Sequence, residues 1–131
     1  MNTWTTYLVN KVLLHVLGIE AFASPTTFIG LFVINPTMPD GTGGVEATYA
    51  GYYRVPLAGL FPTTLGTSGI IANSSTITFG LCTDSGATIV GVGIWDSAVF
   101  GNLLMAGACA GVVSLGVSPT FETSSLVVSD N

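Results

Sequence analysis

The chain has 131 residues, 49% of them hydrophobic and only 7% charged, with a formal net charge of −5 and a mean hydropathy of +0.71. Lys11 and Arg54 are its only cations, too few to neutralise nucleic-acid phosphates or an anionic lipid surface, so both of those partners are excluded. The length fits one domain with its own core, and the expected organisation is a single structural domain over residues 1–131, with a helix over about 3–18 and a β-rich body over about 26–128.

In chain order, "MNTWTTYLVNKVLLHVLGIEAF" comes first. Asn2 or Thr3 can cap a helix, good helix formers run from Tyr7 to Leu17, and Gly18 sits where a left-handed C-cap stops it. Apolar residues appear almost all round, with Lys11 and His15 on one narrow face, which predicts a helix buried on more than one side, by its own sheet or by neighbouring subunits. "FIGLFVINPT" reads as a β-branched and aromatic strand closed by Asn35 and Pro36. "MPDGTGGVEATYAG", with Pro39, Asp40, Gly41, Gly43 and Gly44, is turn chemistry and predicts an exposed loop. Pro56 in "YYRVPLAGLF" pushes that strand toward a sheet edge or bulge.

"PTTLGTSGIIANSS" is polar and broken by glycine, whereas "TITFGLCT" alternates like a half-buried strand. "TIVGVGIW" predicts a strand, "DSAVFGN" a tight connection, and "LLMAGACAGVVSLGV" one or two further strands. "SPTFETSSLVVSDN" closes the chain with a strand and a polar tail. Short strands separated by turn residues, with no fixed-period repeat, predict a mainly β fold: an antiparallel sheet or sandwich of short strands preceded by one N-terminal α-helix.

No charged residue follows Asp96 until Glu122, and this run is hydrophobic enough to raise the question of a membrane span. "GACAG" at 107–111 has the small-residue spacing of packed membrane helices. Against a span stand Gly101 and Asn102 near its start, the recurring Gly107, Gly111 and Gly116, and the lack of flanking cations. The reading is a buried strand pair, with no membrane span. No Lys/Arg-rich segment precedes an apolar core at the N-terminus, so no secretory signal is expected. Cys82 and Cys109 are then expected reduced and buried, although they could pair. Their spacing does not suggest zinc, and His15 is the one histidine, so no metal and no cofactor are expected.

Several residues carry a structural and a functional reading. Trp4 and Trp95 are candidate core or interface aromatics. Asp96 could act as an acid or base, but its place after a strand fits a turn carboxylate that accepts backbone N–H groups. Arg54 could hold an inter-subunit carboxylate such as Glu46 or Glu122, because a buried guanidinium requires one, or it could be a solvated strand residue. His15 has no Gly-x-Ser-x-Gly elbow to serve, so it reads as a polar spot on a packed face, and no catalytic residue is expected. Tyr49, Tyr52 and Tyr53 beside the loop 36–51 are candidate receptor contacts for a sugar, or cross-strand residues.

The order of "NKVLLHVLG", "PTTFIGLF", "NPTMPDGTGGVEATYAGYYRV", "NSSTITF", "VGVGIWDSAVFGNLLMAG" and "GVSPTFETSSLVV" resembles a family of small bacteriophage virion proteins labelled phage tail fibre proteins. The chain departs from that pattern at Tyr53, where a small residue is usual, and at Val117, where an acidic one is common. The resemblance implies a non-enzymatic virion structural protein, present in the host cytoplasm during assembly. Its partners would be copies of itself, with a trimer common among such proteins, and other virion proteins such as major capsid or tail proteins. A fibre shaft needs length or a repeat that this chain lacks. The expected role is therefore a capsid-decorating (cement) or tail-attached subunit, with a carbohydrate-recognising tail-fibre module and a small membrane protein as alternatives.

Overall fold

A computed structural model describes residues 3–64 and 69–129. Its centre is an antiparallel sheet of three long strands: β2 (Phe28–Ile34), β7 (Ala87–Trp95) and β8 (Leu103–Val113). Outside β8 lies β1 (Thr3–Trp4), and outside β2 lie β3 (Val45–Glu46) and β4 (Val55–Pro56). Two small ribbons complete the β structure: β5 (Ile70–Ala72) with β10 (Val127–Ser129), and β6 (Ile77–Thr78) with β9 (Thr120–Phe121). One helix, α1 (Thr6–Val16), precedes them all apart from β1. The mainly β, antiparallel architecture with one N-terminal helix is as the sequence predicts.

Alternation along the long strands divides the sheet into two unequal faces. Ile29 and Leu31 of β2 stand opposite Ile94 and Val92 of β7, and all four join the main core. The ribbons and the helix bring Ile77, Phe79, Leu126 and Leu8 to the same cluster. On the other face the register pairs Gly30 with Gly93, Phe32 with Gly91, and Phe28 with Trp95. Three glycines at adjoining positions leave a shelf without side chains, and the Phe32 and Trp95 rings lie over it with centroids 5.1 Å apart. A Cβ on Gly93 would sit 2.7 Å from the Phe32 ring and 2.8 Å from the Trp95 ring.

Several local expectations change in the folded chain. Asn2 lies outside the described residues, and Thr3 does not cap the helix, because Thr3 and Trp4 pair with Ala106 and Met105 of β8. The cap is Thr5: its hydroxyl accepts the Leu8 N–H at 3.3 Å and donates to the Leu103 carbonyl at 2.7 Å. Gly18 does stop the helix, at φ +71°, with Gly18 N–H on the His15 carbonyl and Ile19 N–H on the Leu14 carbonyl. Its own chain does not cover the helix on several sides: Leu8 is its one buried residue, and Val9, Leu13, Val16 and the C-cap Leu17 are exposed.

The "PTTLGTSGIIANSS" segment falls partly outside the described residues, and its Ile70–Ala72 forms a strand where none was expected. Buried Asn73 explains that strand. Its carboxamide donates to the Ser75 and Glu122 carbonyls at 2.8 and 2.9 Å and accepts the Leu126 N–H at 2.9 Å, tying β5 to the approach of β10. In "TITFGLCT" only Ile77–Thr78 is strand; beyond it the Phe79 and Cys82 N–H groups donate to the Pro119 and Val117 carbonyls without regular pairing. Pro56 sits on a sheet edge as predicted. The loop 36–51 contains the two-residue β3. The 87–113 segment is a strand pair, but Ala108, Ala110, Gly111 and Val112 in the second half of β8 are exposed rather than buried. No helix among the described residues is long and apolar enough to cross a membrane.

The shelf makes Gly93 sensitive to one added methyl group. Gly93→Ala is expected to cost about 1–3 kcal/mol from overpacking. Gly111→Ala, whose Cβ meets nothing within 4 Å, is expected to be neutral or to gain up to about 1 kcal/mol. Urea denaturation of the two variants checks the contrast.

Candidate interaction site

The glycine shelf sets the depth at which a charged group can lie. Trp95 rests on it, 7% exposed, and the Arg54 guanidinium stacks over its ring at 4.0 Å. A guanidinium with a side chain 7% exposed needs partners for its N–H groups. Nε and one terminal nitrogen donate to the two carboxylate oxygens of Glu46, each at 2.9 Å. The other terminal nitrogen donates to the backbone carbonyls of Ser97 and Phe100, each at 2.8 Å. The carboxylate is therefore Glu46 of the same chain and not, as the sequence suggests, one from a neighbouring subunit; Glu122 instead lends its backbone carbonyl to Asn73 and Ser125.

Those two carbonyls belong to the connection between β7 and β8. Asp96 closes its base, accepting the Asn102 backbone N–H at 2.7 Å and the Asn102 carboxamide at 3.0 Å. Inside the loop the Ser97 hydroxyl donates to the Val99 carbonyl at 2.8 Å. Phe100 takes φ +55°, a conformation that costs a non-glycine residue energy unless its surroundings fix it. Arg54 supplies that fixing contact by drawing the Phe100 carbonyl inward, and the side chains are left pointing out. Val99 is 69% exposed and Phe100 88% exposed.

Beside this tip runs an open groove of about 640 Å³, bounded by Phe28, Thr48, Tyr53, Pro56 and Phe100 with the Glu46–Arg54 pair at its floor. The three tyrosines separate here. Tyr49 is 4% exposed and its hydroxyl donates to the Gly80 carbonyl at 3.0 Å. Tyr52 stacks against Phe79; its hydroxyl accepts the Leu31 N–H at 3.1 Å and donates to Glu46. Burial first, and the bond to Glu46 second, hold the Tyr52 phenol far above its ordinary pKa, so it stays a donor. Only Tyr53, 57% exposed, turns a ring toward solvent. Tyr49 is thus turned away from solvent, whereas Tyr52 is half-buried and lines the groove beside Tyr53.

The other singled-out residues lie elsewhere. Trp4 donates its indole N–H to the Ser129 carbonyl at 3.1 Å. His15 is exposed, and its Nδ1 accepts the Phe22 N–H at 3.1 Å. Cys82 is fully buried beside Asp84, Cys109 is half-buried, and the two are unpaired. No three His, Cys, Asp or Glu side chains among the described residues are grouped to hold a metal. The sequence reading passed over Val99 and Phe100. The available signal was two large apolar residues inside a connection that is otherwise Asp, Ser, Ala, Gly and Asn.

The family described as Gp80, podophage GP4 fiber I protein gp80, aligns with residues 3–129 of this chain. No curated protein matches it.

Replacing the fork by a point charge tests the clamp. Arg54→Lys keeps the charge but cannot span Glu46 and the two carbonyls together. It is expected to lose about 1–3 kcal/mol and to weaken the near-ultraviolet dichroism of Trp95, both read in one thermal melt. An unchanged melt and spectrum would show that the stacked, forked geometry contributes nothing.

Proposed function

The chain belongs to the podophage GP4 fiber I protein gp80 family, and from that premise we propose that it is a non-enzymatic structural subunit attached to the tail of the virion. Membership makes it a phage virion protein of the fibre type. The finer reading is that it assembles with other virion proteins and with copies of itself by burying apolar surface, after passing through the host cytoplasm during assembly. One observation carries the mechanism: the Val99–Phe100 tip is held outward by a nearly buried guanidinium. A preformed apolar knob binds without first ordering a loop.

The polar groups support a structural role over a chemical one. Arg54 and Glu46 spend their hydrogen bonds on each other, on Tyr52 and on backbone. Asp96 serves its own turn, and His15 is the one histidine and binds backbone. No nucleophile stands beside a free base in that arrangement.

A second reading is recognition of a carbohydrate receptor. The favouring observation is that Tyr53 and Phe100 place two exposed rings on a groove whose floor carries a charge-balanced Glu46–Arg54 pair. A glycan array tests it. Binding by the wild type that Tyr53→Ala abolishes would favour this reading, and an array without bound glycans would remove it.

For the leading reading, burial of one phenyl ring is worth about 2 kcal/mol, or roughly thirty-fold in affinity at one contact. Phe100→Ser is expected to fold normally and to be strongly depleted from purified particles, with immunogold labelling of wild-type particles found on tails. Normal incorporation of Phe100→Ser would overturn the tip as the docking element, and labelled heads would place the protein on the capsid instead.

A further inference from the structure

The outer edge of β8 is covered over only part of its length. Thr3 and Trp4 pair with Ala106 and Met105, and among the described residues no strand pairs with that edge beyond them. Ala108, Ala110, Gly111 and Val112 are exposed there. Opposite Val90 the register with β7 shifts, so that Cys109 and Ala110 stand against one residue, a bulge that bends the strand. Past it the ladder is regular again from Gly111 to Val113. An uncovered strand edge presents backbone N–H and C=O groups with which an extended chain can pair.

Beside these three residues the fold opens toward its own core. Gly111 pairs with Ile89, which places both on the core side of the sheet, and a Cβ on Gly111 would meet nothing within 4 Å. The space is a pocket of about 210 Å³ lined by Leu31, Ile89 and Val113 of the main core, by Cys109, and by Val117 and Phe121 at β9 and its approach. Pockets that hold small-molecule ligands run to roughly 300–1,000 Å³, whereas this one suits a single large side chain. An apolar group entering it leaves water for the surroundings of a core residue.

We propose that the Gly111–Val113 edge and this pocket together receive an extended segment of another virion protein, paired to β8 through its backbone and anchored by one large apolar side chain. Two observations select that occupant. The edge takes an extended backbone, and β1 already covers the neighbouring part of it in that way. The pocket takes a large side chain, which the same edge of a second copy, with Ala110 and Gly111, does not bring. A three-residue pairing is also the scale on which this chain holds its own β5 and β10 together. The contact is separate from the Val99–Phe100 tip and rests only on assembly with other virion proteins.

Alkylation of Cys109 by N-ethylmaleimide, in the purified full chain and in intact particles, tests the pocket, with buried Cys82 as the internal reference. Cys109 is expected to react roughly tenfold more slowly in particles, and the Gly111–Val113 amides to exchange more slowly there too. Gly111→Leu fills the pocket from β8 itself. It is expected to melt no lower than the wild type and to be depleted from particles about thirty-fold. Val112→Lys keeps the pocket but puts a charge on the edge; it is expected to be depleted as well, and it carries the test if Gly111→Leu does not fold. Equal reactivity of Cys109 in both states, or normal incorporation of either folded variant, would overturn the proposal. Cys109 as unreactive as Cys82 in the free chain would overturn it by showing the pocket covered from within. Protection of Cys109 without slower amide exchange would overturn it by showing cover that is not a strand. A photoreactive benzophenone placed at Val112 is expected to cross-link to a different virion protein in particles, and a cross-link between two copies of this chain would overturn the occupant.

Discussion

Arg54 is one of two cations in a chain of 131 residues, and it is the one placed where water scarcely reaches. A guanidinium in such a site is tolerated only when its donors are met and its charge balanced. Each requirement draws in a different part of the sequence. Glu46 comes from β3 at one edge of the sheet, the Trp95 ring from the end of β7, and the Ser97 and Phe100 carbonyls from the connection to β8. The ring can lie flat only because Gly30 and Gly93 face each other beneath it. One side chain thereby joins strand register, loop shape and the exposure of Phe100.

The protein has two kinds of apolar surface. The main core is closed by the ribbons, Leu8 and the inner face of the sheet. A second set stays outside: the exposed face of α1, the Val99–Phe100 tip, and Val112 and Leu115 near the end of β8. A free monomer gains nothing from such exposure and is made less soluble by it. A subunit gains contact energy from it after docking, and a low content of charge ceases to be a liability once neighbours cover those places. Composition, exposed apolar residues and membership of a fibre family point in the same direction.

Much of the fold was legible because it depends on local pattern. The β2 and β7 strands declare themselves by β-branched and aromatic runs, α1 by its stop at Gly18, and the edge position of β4 by Pro56. What was not legible depends on distant partners. Thr3 looks like a helix cap until it is known that β8, a hundred residues on, pairs with it. Ile70–Ala72 has too few residues to signal a strand, and it becomes one because Asn73 and β10 hold it. At the site, the need of Arg54 for a carboxylate could be read from its chemistry, but Tyr49, Tyr52 and Tyr53 could not be sorted. Their facing is decided by an irregular backbone that keeps no strand alternation.

Backbone hydrogen exchange of the 96–102 connection in Glu46→Gln, compared with the wild type under native conditions, tests the central claim most directly. If the forked Arg54 pair fixes the tip, amide protection at Asp96 and Asn102 falls in the variant while the β7–β8 ladder amides keep theirs. Equal protection of the connection in both proteins would contradict it, and the tip would owe its shape to the Asp96–Asn102 closure alone.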